Sequence, residues 1–527
     1  MTLTPDIAGH TQTKLRIMGD ESVDAPSPVV VLLSCYMTGS TEGRNLGIAG
    51  YSHDFVARAF VPLLERYGEV RAVVDPRRNL QAEVDQVIAE RRRPLHFSVL
   101  PLQDVILGER VTTIAVPAWE FPDVPNEGFD GNPQNDWGAT ADRCDLVLVS
   151  GPFTEGALLR SGTKTAIGIV PVPADDAYFA IPSWKPKQRV TLECRAFVFE
   201  PNEDSQVACS EPLRTRDDPS TSIEGQGFAN VGKRIERAVR AAIRSGLGDG
   251  IGDSLSRKFR RARERYRLRQ LQRRQRKLSL SRLPYPHADR VDLSGIVYTS
   301  IFNPDDGRKN WSDLITGFLA AVGDRADATL VVKLITQKPD SVRRVIDFYR
   351  GRDTRHRCRI VFICDFLTAA QLLDLTTATT FYLQATKAEG NCLPLMNHLA
   401  AGRPGVSPDH SSVGDYFDAR SGFVVASHPE PSAWPHDRRL RQRTTWARIV
   451  WPSLRDQIRE SYRMARGSSS AYNQLSHRCR IRMRAWAGKE AVAQALDQTV
   501  GRLLAGVTAG RRAGQAADQE ALLQKMA

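Results

Sequence analysis

No run of apolar residues in this chain is long enough to span a bilayer. The longest, Val29–Leu33 and its neighbours, falls well short of the ~20 residues a transmembrane helix needs. The residues before it lack the basic start of a signal peptide, so a cytoplasmic protein is expected, at most peripheral at the inner membrane face. Cysteine pairs at metal-ligand spacing are missing too: the eight cysteines (35, 144, 194, 209, 358, 364, 392, 479) include no C-x-x-C. Cys358 and Cys364 flank a strand-like run, Arg359–Ile363, which suits buried free thiols in a reducing compartment better than a metal site.

What is present is a long, mixed chain. At 527 residues, 41% apolar and 25% charged, it exceeds one ordinary core and implies two or more soluble domains. The net charge of +13 is local in origin. Residues 227–286 hold 18 Lys and Arg against four acids, so the rest of the chain is close to neutral. Within this stretch, Arg257–Lys277 sets Phe259, Tyr266, Leu268 and Leu271 among arginines, which reads as a helix or helical hairpin. Three roles fit it. They are a solvated helix with intramolecular partners, attachment of residues 227–286 to an anionic membrane surface, and nucleic-acid binding. The last is the least supported, because no recognised nucleic-acid-binding fold accompanies the charge.

Elsewhere strand-like and helix-like segments alternate, which implies an α/β fold with mostly parallel sheets. The first set comprises strands Val29–Cys35, Val70–Val74, His96–Leu100, Thr112–Val116, Leu146–Ser150 and Ala166–Val172. Helices Ser52–Arg66, Gln81–Arg91 and Thr154–Ser161 lie between them. A second register runs from strand Gly295–Ser300 through helix Trp311–Val322 to strand Gly422–Ala426. The expected layout is an N-terminal tail (1–27), a Rossmann-like domain (28–199) and a loop with a basic helical insertion (200–290). A second Rossmann-like domain (291–430) follows, then a helix-rich C-terminal region (431–527) with little β signal. Two doubly wound domains facing across a cleft is the architecture this predicts.

The segment Lys387-Ala-Glu-Gly-Asn-Cys-Leu-Pro-Leu-Met-Asn-His-Leu-Ala-Ala-Gly-Arg-Pro404 carries the strongest chemical signal. Gly390 permits a tight turn after a strand, Asn391 can cap, Pro394 suits a first helical turn, and Gly402 stops the helix. The amides of Gly390, Asn391 and Cys392 would then face whatever sits over the helix start, a ready place for phosphate or hydroxyl oxygens. Glu389 beside them can accept from sugar hydroxyls. From the residues alone an ordinary strand–turn–helix fits as well.

This segment is similar to the E-G-x-x-L-P-x-x-E signature of the retaining GT-B glycosyltransferases, the glycogen-synthase and sucrose-synthase relatives of glycosyltransferase group 1. Residues 389–394 match position by position. The resemblance implies a GT-B fold in which Glu389 and the amides after it, with Leu393, hold the donor sugar. Where the family has a second glutamate for the nucleotide ribose this chain has Asn397. An amide can bond a ribose hydroxyl but lacks two acceptor oxygens for a diol, so ribose anchoring is weakened or rearranged. Arg308 and Lys309, in the loop before helix Trp311–Val322, match the family's diphosphate clamp, since two cations can neutralise a departing phosphate. The family's usual Gly-Arg directly after the strand is replaced by Ser300 and Ile301, which moves the clamp later in the loop.

Weaker matches complete the set. His410, Ser411 and Ser412 could face the nucleotide or form a polar surface loop. Gly47 and Gly50 precede a helix bearing His53, much as the family's glycine-rich loop approaches donor and acceptor. His53 is a candidate base or hydroxyl contact, against the plainer reading of a capping or surface histidine. Trp119–Pro122 is a candidate acceptor contact. No D-x-D triplet occurs, so the resemblance implies no metal and no cofactor, with a nucleotide-sugar as donor substrate. The implied activity is transfer of a sugar, with retention, to a glycan, lipid-linked or small-molecule hydroxyl. Two alternatives stay open. One is a degenerate GT-B protein that binds nucleotide-sugar or glycan without turnover. The other is a GT-B epimerase or phosphorylase, although no lysine marks a pyridoxal site.

Overall fold

A computed structural model describes residues 28–36, 51–200, 283–352, 356–434, 437 and 439–505. Gly47, Gly50, the 1–27 tail and the basic stretch Arg257–Lys277 lie outside the described residues.

The first sheet has six strands: β1 (Val29–Cys35), β2 (Gly68–Ala72), β3 (Arg93–Val99), β4 (Thr112–Ala115), β5 (Leu146–Val149) and β6 (Ile167–Ile169). β1 is an apolar run buried along nearly its whole length, as a central strand covered by helices on both faces must be. All pairings are parallel and the order is β2-β1-β3-β4-β5-β6. Helices Tyr51–Leu64, Pro76–Ala89 and Pro152–Arg160 supply crossovers.

After β6 come β7 (Arg189–Leu192), β8 (Ala196–Phe199), β9 (His287–Ala288) and β10 (Val291–Ser294). The second parallel set is β11 (Ile296–Phe302), β12 (Ala328–Leu334), β13 (Arg359–Ile363), β14 (Phe381–Leu383), β15 (Gly405–Ser407) and β16 (Gly422–Val424). Its order, β16-β15-β14-β11-β12-β13, continues through β8 and β9 to make eight strands. The parallel strands carry the order of a dinucleotide-binding domain: β11 is flanked by β12 on one side and β14 on the other, so successive crossovers leave it in opposite directions. The C-terminal ends of β11 and β14 therefore splay apart into a crevice, the place where doubly wound sheets bind ligands.

The structure redraws two expectations. β8, read from sequence as the end of the first domain, pairs antiparallel with β13 in the second sheet. β7 likewise pairs with β10. An apolar run such as Ala-Phe-Val-Phe announces a strand but not which open edge it will close. The region from 431, expected to be helical, instead completes an antiparallel hairpin of β17 (Ser427–Ala433) and β18 (Arg443–Ile449). Pro429 and Pro431 hide β17 from sequence reading; they are tolerated because a two-stranded ribbon consists of edges.

Helices Trp451–Gly467, Ser469–Ala487 and Lys489–Leu496 follow. The first seats Leu454 against Gly317, where a Cβ would lie 2.8 Å from Leu454 Cδ2; glycine there lets two helices close over the second sheet. At the far end Val492, Leu496 and Val500 join Val31, Phe60, Leu95 and Leu148 in the first domain's core. The chain thus crosses back and ties its C-terminal helix to its first domain.

Candidate functional site

The crevice of the second domain is built from two loops. After β11 a short turn, Gly307–Lys309, is capped by Asp306, whose Oδ1 accepts from the Arg308 amide at 3.1 Å. Asn310 then takes a left-handed conformation (φ 46°) and admits helix Trp311–Val322. After β14 the chain runs through Lys387–Asn391 to Cys392, also left-handed (φ 50°), and enters helix Leu393–Ala400 with Pro394 in its first turn. Lys387 joins the loops, its amide donating to the Arg308 carbonyl at 2.8 Å.

The sequence-identified side chains meet here. Lys309 Nζ lies 2.7 Å from Glu389 Oε1, with the two side chains 18% and 5% exposed. Burial opposes the charge on Lys309, but the carboxylate of Glu389 outweighs it and holds the ammonium's pKa above its usual value. Arg308 is buried. Its Nη2 reaches Asp306 Oδ2 at 2.7 Å and Glu120 Oε1 at 3.2 Å, and Nη1 donates to the Ala388 carbonyl at 3.0 Å. Burial also works against the Asp306 carboxylate, yet Arg308 and Lys309 keep its pKa below the usual range. Among the described residues, none accepts a hydrogen bond from the amides of Gly390, Asn391 or Cys392.

Other candidates have different partners. Ser411 (φ 52°) accepts the Glu389 amide on its Oγ at 3.0 Å, and the Glu389 carbonyl accepts from the Ser412 amide at 3.3 Å. Ser411 and Ser412 therefore brace Glu389 from behind. His410 places Nε2 2.9 Å from the Thr386 carbonyl, and burial lowers its pKa. Cys392 donates its thiol to Gln384 Oε1 at 2.9 Å, and burial pushes its pKa to about 12. Asn397, on helix Leu393–Ala400, lies beside Tyr178 of the segment joining the domains, and makes no bond to Glu389 or Lys309. Leu393 is half-buried between the two domains' cores. His53 packs edge-on against Tyr36 at 5.4 Å.

Sequence reading missed Asp306, and it assigned Glu120 to an acceptor rather than to Arg308. The Asp-x-Arg spacing of a capped turn was the available signal for Asp306; no local pattern pairs Glu120 with a loop of the other domain. The pairing depends on an interdomain contact rich in aromatics. Trp119 sits 4.4 Å from Trp137 and 5.4 Å from Trp434 of the hairpin. Trp446 lies under Lys387 Nζ at 4.5 Å, and the Ala447 amide bonds the Lys387 carbonyl at 2.8 Å.

No protein-family model and no curated protein matches the chain. Solved structures do. A sucrose-phosphate synthase from Thermosynechococcus elongatus is similar at 12% identity and TM-score 0.47, over 91% of this chain and 99% of that one. A glycosyltransferase from Rickettsia africae gives 8% and 0.47 over 91% and 99%. HepE from Anabaena, in complex with UDP, gives 12% and 0.44 over 90% and 99%. Independently of these likenesses, two parallel doubly wound sheets, the second in dinucleotide-binding order and meeting the first domain at its β11 and β14 loops, give this chain the GT-B fold.

Proposed function

We propose that the chain is a nucleotide-sugar-dependent glycosyltransferase whose donor binds in the crevice between the β11 and β14 loops. One observation carries this reading: two cations, a buried carboxylate and a turn of unpartnered amides converge at the switch point of a dinucleotide-type sheet. Arg308 and Lys309 would take the diphosphate, where positive charge offsets what develops on the leaving group. Glu389, braced by Ser411 and Ser412, would orient the sugar with the Gly390–Cys392 amides. No metal or cofactor enters this scheme, since cations and helix start do the neutralising.

Transfer proceeds with retention. The acceptor oxygen bonds to the anomeric carbon on the face the diphosphate leaves. The bond from that carbon to phosphate oxygen breaks, and the acceptor proton passes to a phosphate oxygen of the departing nucleotide. The acceptor is a hydroxyl of a glycan, a lipid-linked or a small molecule, bound on the first domain.

A thermal-shift panel of UDP, GDP, ADP and their sugars tests the reading, followed by slow donor hydrolysis in the presence of EDTA. One donor should stabilise the wild type and not Glu389→Ala. If no nucleotide shifts either protein, the donor-site assignment is wrong. The second reading, binding without turnover, is favoured by Asn397, which stands where the resembled signature has its ribose-holding glutamate. Binding with neither hydrolysis nor transfer would establish it.

A further inference from the structure

The candidate donor site already contains its own anions. Arg308 and Lys309 face Asp306, Glu120 and Glu389, so the five groups sum to one net negative charge. A polyanionic diphosphate entering that arrangement meets repulsion rather than attraction. Space is short as well: the cavity beside Lys309, Thr386 and Glu389 measures about 10 Å³, room for about one water. The first domain also approaches the Gly390 turn closely, since a Cβ at Gly390 would lie 3.4 Å from the backbone of Trp119.

One of the carboxylates has to give way, and they are not equally held. Asp306 belongs to the same turn as Arg308 and caps its amide at 3.1 Å. Glu389 is 5% exposed and 2.7 Å from Lys309. Glu120 comes from the other domain, its side chain is 21% exposed, and its 3.2 Å contact with Arg308 is the longest of the three. The ring of Trp119, next to it in sequence, is fixed between Trp137 and Trp434. The backbone is therefore held, while the Glu120 side chain keeps an open side toward solvent.

We infer that Glu120 is a displaceable counter-anion of Arg308, occupying the place of the donor's diphosphate until the donor expels it, and so sets donor affinity. The inference rests on the donor-site reading above. Release of Glu120 takes the site from one net negative charge to neutral, and Arg308 regains a free donor edge for phosphate. An occupied clamp lowers apparent affinity by the fraction of molecules in which it is open. Glu120 is a positioning residue in this account, since it acts on the donor through Arg308.

The test is calorimetric titration of the full-length wild type, Glu120→Gln and Glu120→Asp with UDP, GDP and ADP and with the three nucleosides. The diphosphate that binds the wild type should bind Glu120→Gln about tenfold more tightly, about 1.4 kcal/mol. Nucleoside affinity should be unchanged, and Glu120→Asp should behave as wild type. A fold or packing role would move nucleoside and diphosphate together. Equal or weaker diphosphate binding by Glu120→Gln, in a protein that still binds nucleotide, overturns the proposal and leaves the donor site standing. Absence of diphosphate binding to all three proteins overturns the donor site and this proposal together.

Discussion

Breaking the Lys309–Glu389 pair should harm the fold more than removing both charges. The pair is 2.7 Å apart with side chains 18% and 5% exposed, so neither charge retains a full hydration shell. Deleting one partner of such a pair strands the other, at about 3–5 kcal/mol. Because Lys309 keeps some exposure, about 3 kcal/mol is the expected loss for Lys309→Met or Glu389→Gln alone. In calorimetry that corresponds to a fall of about 6–12 °C in the midpoint of a domain of this size.

The double variant removes both charges and leaves a neutral amide beside an apolar chain, so it should lie well above the sum of the singles. The coupling between the sites should reach about 2 kcal/mol or more. The sign with pH follows from the raised pKa of Lys309. Its stabilisation is complete below the unfolded lysine value of about 10.4 and is lost as pH rises through the higher folded value. The gap between wild type and Lys309→Met should therefore narrow only in strong alkali. Additivity of the two single substitutions within about 0.5 kcal/mol would refute the buried-pair argument.

Three further outcomes are expected. Asp415 accepts the Phe153 amide at 3.3 Å across the domains, and burial raises its pKa to about 6; ionising it therefore costs stability above that pH. Asp415→Asn should raise the melting temperature at pH 8, with the gain vanishing as pH falls to about 4, and an equal gain at both pH values would contradict this. Trp434, 7% exposed against Trp119, ties the hairpin to the first domain. Trp434→Ala should destabilise by about 3–5 kcal/mol in denaturant titration, and a loss below about 1 kcal/mol would show that the hairpin does not hold the domains together. The seven described cysteines are buried, so a thiol reagent should label the native protein slowly at those positions and rapidly after unfolding. Fast native labelling of Cys392 would contradict its packing.

Much of this molecule was legible locally. Helix Trp311–Val322 and the strand–turn–helix of Phe381–Ala400 follow from apolar periodicity, a glycine turn, and proline in a first turn, all determined within a few residues. The same local reading placed Arg308, Lys309 and Glu389 at the ends of two crossovers of one sheet, and the strand order brought those ends together. It did not foresee that Ser411 accepts the Glu389 amide, because a hydroxyl in a left-handed turn can bond backward to a neighbouring amide as readily as face a ligand.

Sequence by itself determined the alternation of elements, the two charged loops and the buried thiols. Only the tertiary structure decided that β8 leaves the first domain for the second sheet, that Ser411 takes the Glu389 amide, and that Glu120 neutralises Arg308. The physical reason is the same in each case. An open strand edge, a spare amide and a buried guanidinium each demand a partner, but which segment answers depends on how the two domains and the returning C-terminal helix close over one another, and that is not written in any short stretch of chain.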